Sequence, residues 1–448
     1  MNADDMHQTL PSELNFPALE TLPPMKRTQM SLTPDGTAVF SAAGQQLRFV
    51  MPSFRAFNDP SQISVSGRLT VVGGANAAGT GAAGPTEAYA LTPNAWGVFE
   101  QYVVSMGGSQ IESISQPALV FQALQEACST TTELSSKSML WGTDRDGPGQ
   151  TTGYVFNIED SPGGNKIMTF SIPLIGALAN LSSAIPATSE IELTFTIADI
   201  IGRRMTRLGA TLPTAFVLDQ LTLTYDVLEM SDVSYFQKVT SAPLSLKTST
   251  WLYSSAQLPA GTVGNADLNI LARAQSSKML LMRCSSAVDG RTSIFGSCNP
   301  NARAASMMVG TTSIPQTPIN TGNPSVVKLA LQRAFGAVNS HQLAGSVLPY
   351  NFCKRDTADS LHREVTLTDS YLTREGDSSN WMLAIDLESC TGAKSTLFQG
   401  TALTSSSASY MRLDVFPQLQ YDTTVHFLIQ CDAVLVIDAA SQTGRLIY

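Results

Sequence analysis

Residues 191–197 read Ile-Glu-Leu-Thr-Phe-Thr-Ile. Ile191, Leu193, Phe195 and Ile197 alternate with Glu192, Thr194 and Thr196. Successive side chains of a strand point to opposite faces, so this segment has one face for a core and one for water. The pattern recurs on either side. Ile63, Val65, Leu69 and Val71 alternate with Ser64, Ser66, Arg68 and Thr70, and Met168, Phe170, Ile172 and Leu174 follow suit. Leu221, Leu223, Tyr225 and Val227 close the first series. In the second half Leu383, Ile385 and Leu387 alternate, then Met411, Leu413 and Val415, then Val425, Phe427, Ile429 and Cys431. Met279 to Met282 and Ala433 to Ile437 are more fully apolar. One-sided burial is the signature of antiparallel sheets; a parallel α/β sheet gives continuous apolar runs between regular helices.

Two segments break the period. Val120, Ala123, Leu124 and Ala127 fall at helical spacing, as do Val327, Ala330, Leu331, Ala334, Phe335 and Val338. Each lies well inside its own half of the chain. The fold class expected is therefore all-β, with two consecutive β-sandwiches and a short helix inserted in each. A faint echo supports duplication: Tyr225-Asp226-Val227-Leu228 near the end of one half, Cys431-Asp432-Ala433-Val434-Leu435 near the end of the other. The division is expected between Glu229 and Ala242, where a polar segment interrupts the alternation before Leu244. Residues 1–40 read as an N-terminal arm, 41–230 as the first unit and 231–448 as the second. Pro11, Pro17, Pro23, Pro24 and Pro34 make Met1 to Pro34 an extended stretch to be ordered only by a neighbour. Ala75 to Pro93, Ser129 to Asn165 and Ser285 to Asn323 read as long loops, a length that usually signals function.

Composition narrows the function. The chain has 448 residues, 43% hydrophobic, which is ample for large cores. Only 14% are charged, with a net charge of −9. A nucleic-acid coat needs clustered Lys and Arg, so specific nucleic-acid binding is not expected. Few charges fit a surface hidden against partners. No apolar run approaches the ~20 residues of a membrane span. Met1 to Leu10 has no apolar segment of the secretory kind.

Candidate chemistry is thin. Gly79-Thr80-Gly81-Ala82-Ala83-Gly84, with Glu100 downstream, matches a dinucleotide fingerprint in letters only. Pro85 follows, and Thr86 to Trp96 lacks a helical stripe to meet a pyrophosphate. His7, His341, His362 and His426 are scattered, and no G-x-S-x-G elbow occurs. Asp144-Arg145-Asp146 opens like a calcium loop, but Pro148 and Val155 stand where ligands belong; Glu159-Asp160 is a solvated acidic pair. Arg203, Arg204 and Arg207 form a small basic cluster suited to a solvated loop or an ion pair between subunits. Cys128, Cys284, Cys298, Cys353, Cys390 and Cys431 include no C-x-x-C and read as buried reduced thiols. Asn180-Leu181-Ser182 is a lone sequon. The sequence thus nominates no catalytic residue, no cofactor-binding residue and no metal ligand, and no enzyme activity or cofactor is expected.

Four stretches carry a resemblance. Gly44 to Pro60, GQQLRFVMPSFRAFNDP, looks like an opening strand turning into Ile63 to Val71. Gln101 to Leu124 holds a strand, the turn Gly107-Gly108, the segment around Ile111-Glu112 and a helix. Phe170 to Leu174 with Ile185-Pro186 precedes the closing strands of the first half. Met382 to Tyr448, with Gly400 inside, supplies the last strands of the second. In order and spacing these resemble the double jelly-roll major capsid proteins of polinton-like viruses and adintoviruses, within the lineage that includes adenovirus and the large algal viruses. The resemblance runs from about Ser41 to the end, and Ser285 to Asn323 matches nothing in it. It implies two jelly rolls per chain and homotrimers as pseudo-hexagonal capsomers of an icosahedral shell around a double-stranded DNA genome. The location would be the virion, after synthesis inside the host cell. The partners would be neighbouring capsomers, penton proteins and minor capsid proteins. The competing reading is a β-sandwich carbohydrate-binding module, a lectin or adhesin, although aromatics are only 7% of the chain.

Overall fold

A computed structural model describes residues 25–73, 88–91, 94–129, 140, 154–155, 166–201, 205–208, 213–231, 233–286, 299–336, 381–389, 399–404, 408–419 and 422–448. Every alternating segment is a strand. In the first half Met25–Leu32, Pro213–Met230, Phe57–Gly73 and Lys166–Pro173 form one antiparallel sheet in that order, with Ile185–Pro186 beside Phe57–Gly73. Gln46–Met51, Ile191–Ile197, Phe99–Met106 and Ser109–Ser115 form the facing sheet. Of the eight principal strands, the first, eighth, third and sixth make one layer, and the second, seventh, fourth and fifth make the other.

The second half repeats this order. Leu244–Leu258, Thr423–Asp438, Ala274–Ser286 and Leu383–Asp386 form one sheet, extended by Thr401–Leu403 and Thr443–Ile447. Gly264–Asn269, Ser409–Val415, Ala302–Val309 and Thr312–Asn320 form the other. Two antiparallel sandwiches with this strand order are two jelly rolls. A helix follows the fifth strand in each: Pro117–Cys128 (α1) and Pro324–Ala334 (α3).

The core follows from the alternation. Ile191, Leu193, Phe195 and Ile197 are buried, while Glu192, Thr194 and Thr196 are partly exposed. Phe195 is the centre of an aromatic cluster: its ring centroid lies 4.9 Å from Phe99, 5.1 Å from Tyr102, 6.2 Å from Trp96 and 6.3 Å from Phe49. These rings come from three strands and a short helical turn, Ala95–Val98, so packing of one side chain ties the whole layer together.

Four expectations are revised. First, Ser285 to Asn323 is not a plain loop; it holds Ala302–Val309 and Thr312–Asn320. The second of these carries Pro315 and Pro318, which argue against a central strand. It lies at the edge of its sheet, where a missing N–H costs no ladder bond. Second, Ala88–Leu91, Tyr154–Val155 and Met205–Leu208 pair as a small third sheet within segments read as loop. Third, the helical stripe expected to reach Val338 ends at Ala334. Gly336, at φ +64°, lies just past that end, and Val338 is outside the described residues. Fourth, the segment between the rolls contains a further helix, Val233–Val239 (α2), whose Tyr235 and Phe236 pack on Phe57.

The arm also changes. Met25–Leu32, expected to borrow a neighbour for its order, pairs along its full length with Pro213–Met230 and is the first strand of the first roll. Arg27 anchors it through its ion pair with the buried Asp226, its Nε 2.7 Å from the carboxylate. A chain lacking residues 1–32 should therefore melt several degrees below one lacking residues 1–24, because it uncovers Pro213–Met230 along one edge. Thermal unfolding of the two truncations measures this.

Candidate functional site: the seam between the two rolls

Among the described residues no group of three or more His, Cys, Asp or Glu is placed to hold a metal, and no helix is long and apolar enough to cross a membrane. His426 sits on a strand, as its sequence context implies. Its Nδ1 is 3.0 Å from the Tyr253 hydroxyl and its Nε2 2.9 Å from Ser285 Oγ. Burial, helped by the nearby Arg283 charge, lowers its pKa to about 4, so the ring is neutral and structural at ordinary pH. Cys284 and Cys431 are buried thiols outside any disulfide, and burial raises Cys128 to about 11 and Cys431 to about 12. Arg207 lies on Met205–Leu208. Gly79 to Gly84, Asp144 to Gly149, Glu159, Asp160, Arg203, Arg204, His7, His341, His362, Cys298, Cys353 and Cys390 lie outside the described residues.

The strongest concentration of buried polar chemistry is where the rolls meet. α1 begins with Pro117 at a position where a missing N–H costs nothing, and ten of its twelve residues are buried. Near its end Glu126 reaches Arg283 of the strand Ala274–Ser286 in the second roll, 3.0 Å apart. Their side chains are 8% and 2% exposed, so the pair is desolvated. Gln122 donates to the other Glu126 oxygen at 2.9 Å. Breaking one partner of such a pair leaves a bare buried charge, whereas replacing both with apolar groups is often neutral.

Glu112, on the strand Ser109–Ser115, is the second anchor. Its oxygens accept from the Ala177 N–H at 2.8 and 2.9 Å and from the Thr250 hydroxyl of the second roll. Gly176, at φ +93°, lets the chain pass so close that a Cβ there would stand 2.5 Å from this carboxylate. Tyr102 is the titratable group facing it; burial first, and then the Glu112 charge, hold that phenol well above its usual range. Burial raises Glu112 to about 7, with the Thr250 and Ala177 hydrogen bonds opposing.

Three further contacts complete the seam. Thr248 Oγ1 donates to the Ala177 carbonyl, and Asn180 Nδ2 donates to the Ser249 carbonyl at 3.0 Å, which occupies the sequon side chain. The turn at Gly107 (φ +57°) lies against Gln442 of the C-terminal hairpin, so closely that a Cβ at Gly107 would overlap the Gln442 carbonyl oxygen. Periodicity marks strands but says nothing of which strand end meets which, so neither Glu126 nor Arg283 stood out in sequence. A Glu one turn after Gln122 on a mostly apolar helix was the available signal.

No family model matches the sequence, and no curated protein does. Solved structures do match, across nearly the whole chain. The Faustovirus major capsid protein superposes with a TM-score of 0.59 at 8% identity, covering 97% of this chain and 94% of that one. PBCV-1 VP54, fitted into a reconstruction of the virophage Sputnik, gives 0.57 at 11% identity, covering 97% and 99%. The mavirus major capsid protein gives 0.53 at 9% identity, covering 100% and 96%. The fold of this chain is the double jelly roll of those proteins.

Two outcomes are expected at the seam. Arg283→Met alone should cost about 3–5 kcal/mol, and adding Glu126→Leu should recover most of it; denaturant unfolding of the single and double variants measures both. For Glu112, the unfolded carboxyl titrates near 4.5 and the folded one near 7. The fold favours the protonated form, so this stabilisation is complete below about pH 4.5 and is lost as pH rises through 7, by about 3 kcal/mol in total. Glu112→Gln should abolish that loss and exceed the unaltered chain in stability at pH 8. Unfolding curves from pH 4 to 9 report it.

Proposed function

We propose that the chain is a major capsid protein, a non-enzymatic structural subunit that self-assembles into the icosahedral shell of a double-stranded DNA virus. The observation that carries this is the pairing of two jelly rolls of identical strand order in one chain, superposing end to end on capsid proteins. A shell tile must present flat, reproducible walls and hide them on assembly. Two upright sandwiches joined through a buried seam provide such walls without any need for a catalytic site.

On this reading three copies associate so that six rolls form a pseudo-hexagonal capsomer, and capsomers tile a virion shell. Penton and minor capsid proteins are the further partners, and the polinton-like and adintovirus group is the branch the sequence resembles. The first roll is taken as Met25 to Met230 and the second as Leu244 to the C-terminus, with α2 in the connection. Low charge content suits a homo-oligomer with extensive buried interfaces.

Purified chain should sediment as a stable trimer, and electron microscopy of concentrated protein should show hexagonal tiles or closed particles. A monomer at all concentrations that binds sugar would instead support the carbohydrate-binding reading.

A further inference from the structure

The seam is held at two ends by groups of different chemistry. At one end α1, with ten of its twelve residues buried, is fixed by Glu126 and Arg283, where charge meets charge. At the other end Glu112 bridges the rolls through neutral groups: the Ala177 N–H of its own roll and the Thr250 hydroxyl of the second. A bulge sets its aim. Val104 faces Glu112 and Ser105 faces Gln110 across the ladder, so Ile111 is an extra residue, and Ile111 and Glu112 are both buried. Bulges re-aim side chains in this way. Backbone fills a further side: a Cβ at Gly176 would lie 2.5 and 2.6 Å from the two carboxyl oxygens.

Among the described residues no cation neutralises Glu112. Tyr102, on the neighbouring strand Phe99–Met106, is its titratable neighbour; burial, then the Glu112 charge, keep that phenol neutral well above its usual range. Glu100 of the same strand is exposed. Lys247 lies three residues before Thr250, exposed on the opposite face of Leu244–Leu258, and Arg445 of Thr443–Ile447 is exposed too. The segment 174–181 has no ionisable side chain. On α1, Glu126 is paired with Arg283, and His426 beside that pair is neutral above about pH 4. A hydroxyl both donates and accepts, so Thr250 serves a neutral carboxyl as well as a carboxylate. The other contacts at this end come from turns: Asn180 on Ser249 and Gly107 on Gln442. Contacts with little apolar burial open locally before the rest of a fold.

We propose that the Glu112 contact is a proton-operated latch within one chain: with the carboxyl protonated the rolls are closed at this end, and on its ionisation Ser109–Ser115 and the turn at Ala177 part from Leu244–Leu258, while Glu126 and Arg283 keep α1 seated. The latch goes beyond the capsid reading and does not depend on assembly. Open, Glu112 meets water and titrates near 4.5; closed, it titrates near 7. The closed form binds the proton more tightly. Opening is therefore rarest below about pH 4.5, grows as pH rises to about 7 and levels off above it. Between pH 5 and pH 8 Tyr102 and His426 stay neutral, so the response belongs to Glu112.

Hydrogen exchange of the full chain at pH 5, 6, 7 and 8, read by peptide mass spectrometry and corrected for the intrinsic rate, tests it. In the unaltered chain the opening constant of peptides spanning 174–181 and 244–251 should rise at least about tenfold between pH 5 and pH 8. Peptides from α1 and from 279–286 should stay constant. In E112Q the rise should vanish. T250V removes a donor that favours the carboxylate, so it should move the rise to higher pH, and it carries the test if E112Q does not fold. Exchange that rises equally at both ends of the seam, exchange at 174–181 that ignores pH, a folded E112Q chain that repeats the unaltered profile, or a T250V profile that does not move would each overturn the latch.

Discussion

The two rolls hold each other by burying polar groups, and that burial constrains everything around it. The central strand Thr423–Asp438 of the second roll's long-strand sheet is buried on both faces over 425–429: Val425, Phe427 and Ile429 point one way, His426 and Leu428 the other, and all are under 4% exposed. A strand with no wet face needs a cover. α1 supplies part of it, and the Glu126–Arg283 pair fixes where α1 sits. Hydrophobic contact alone would allow sliding, whereas a desolvated ion pair has one low-energy geometry. Glu112 adds a second fixed point, reaching Thr250 across the seam. The hairpin behind Thr443–Ile447 then meets the turn at Gly107, so the end of the chain returns to the first roll.

The seam is specific at some cost in stability near neutral pH. A carboxyl with three hydrogen bonds and no described cation beside it is held closer to its neutral form than a surface Glu. Such a group makes the join between rolls firmer in acid. A chain built this way keeps its two rolls in fixed relation under mild acid.

Much of the fold was legible in the sequence because a strand's period of two is local. Ile191 to Ile197, Leu221 to Val227 and Val425 to Cys431 each announce a buried face without reference to any other residue. Helices α1 and α3 were visible for the same reason, although the end of α3 depended on Gly336; α2, between the rolls, was not. Thr312–Asn320 was hidden because Pro315 and Pro318 count against a strand until its edge position is known. Met25–Leu32 was hidden because an edge strand on a mostly exposed face has little hydrophobic pattern to show. The small third sheet joins strands of two to four residues, too short for any periodicity.

By itself the sequence determined the class of structure: alternating faces, turn residues between them and two helix stripes one half-chain apart make two antiparallel sandwiches. Tertiary structure alone decided how the sandwiches meet. Glu112, Glu126 and Arg283 are ordinary letters in their own segments, and each meets its partner only when segments far apart in the chain are brought within 3 Å. Burial, not residue type, raises the Glu112 carboxyl, and burial is a property of the neighbours that three-dimensional packing supplies.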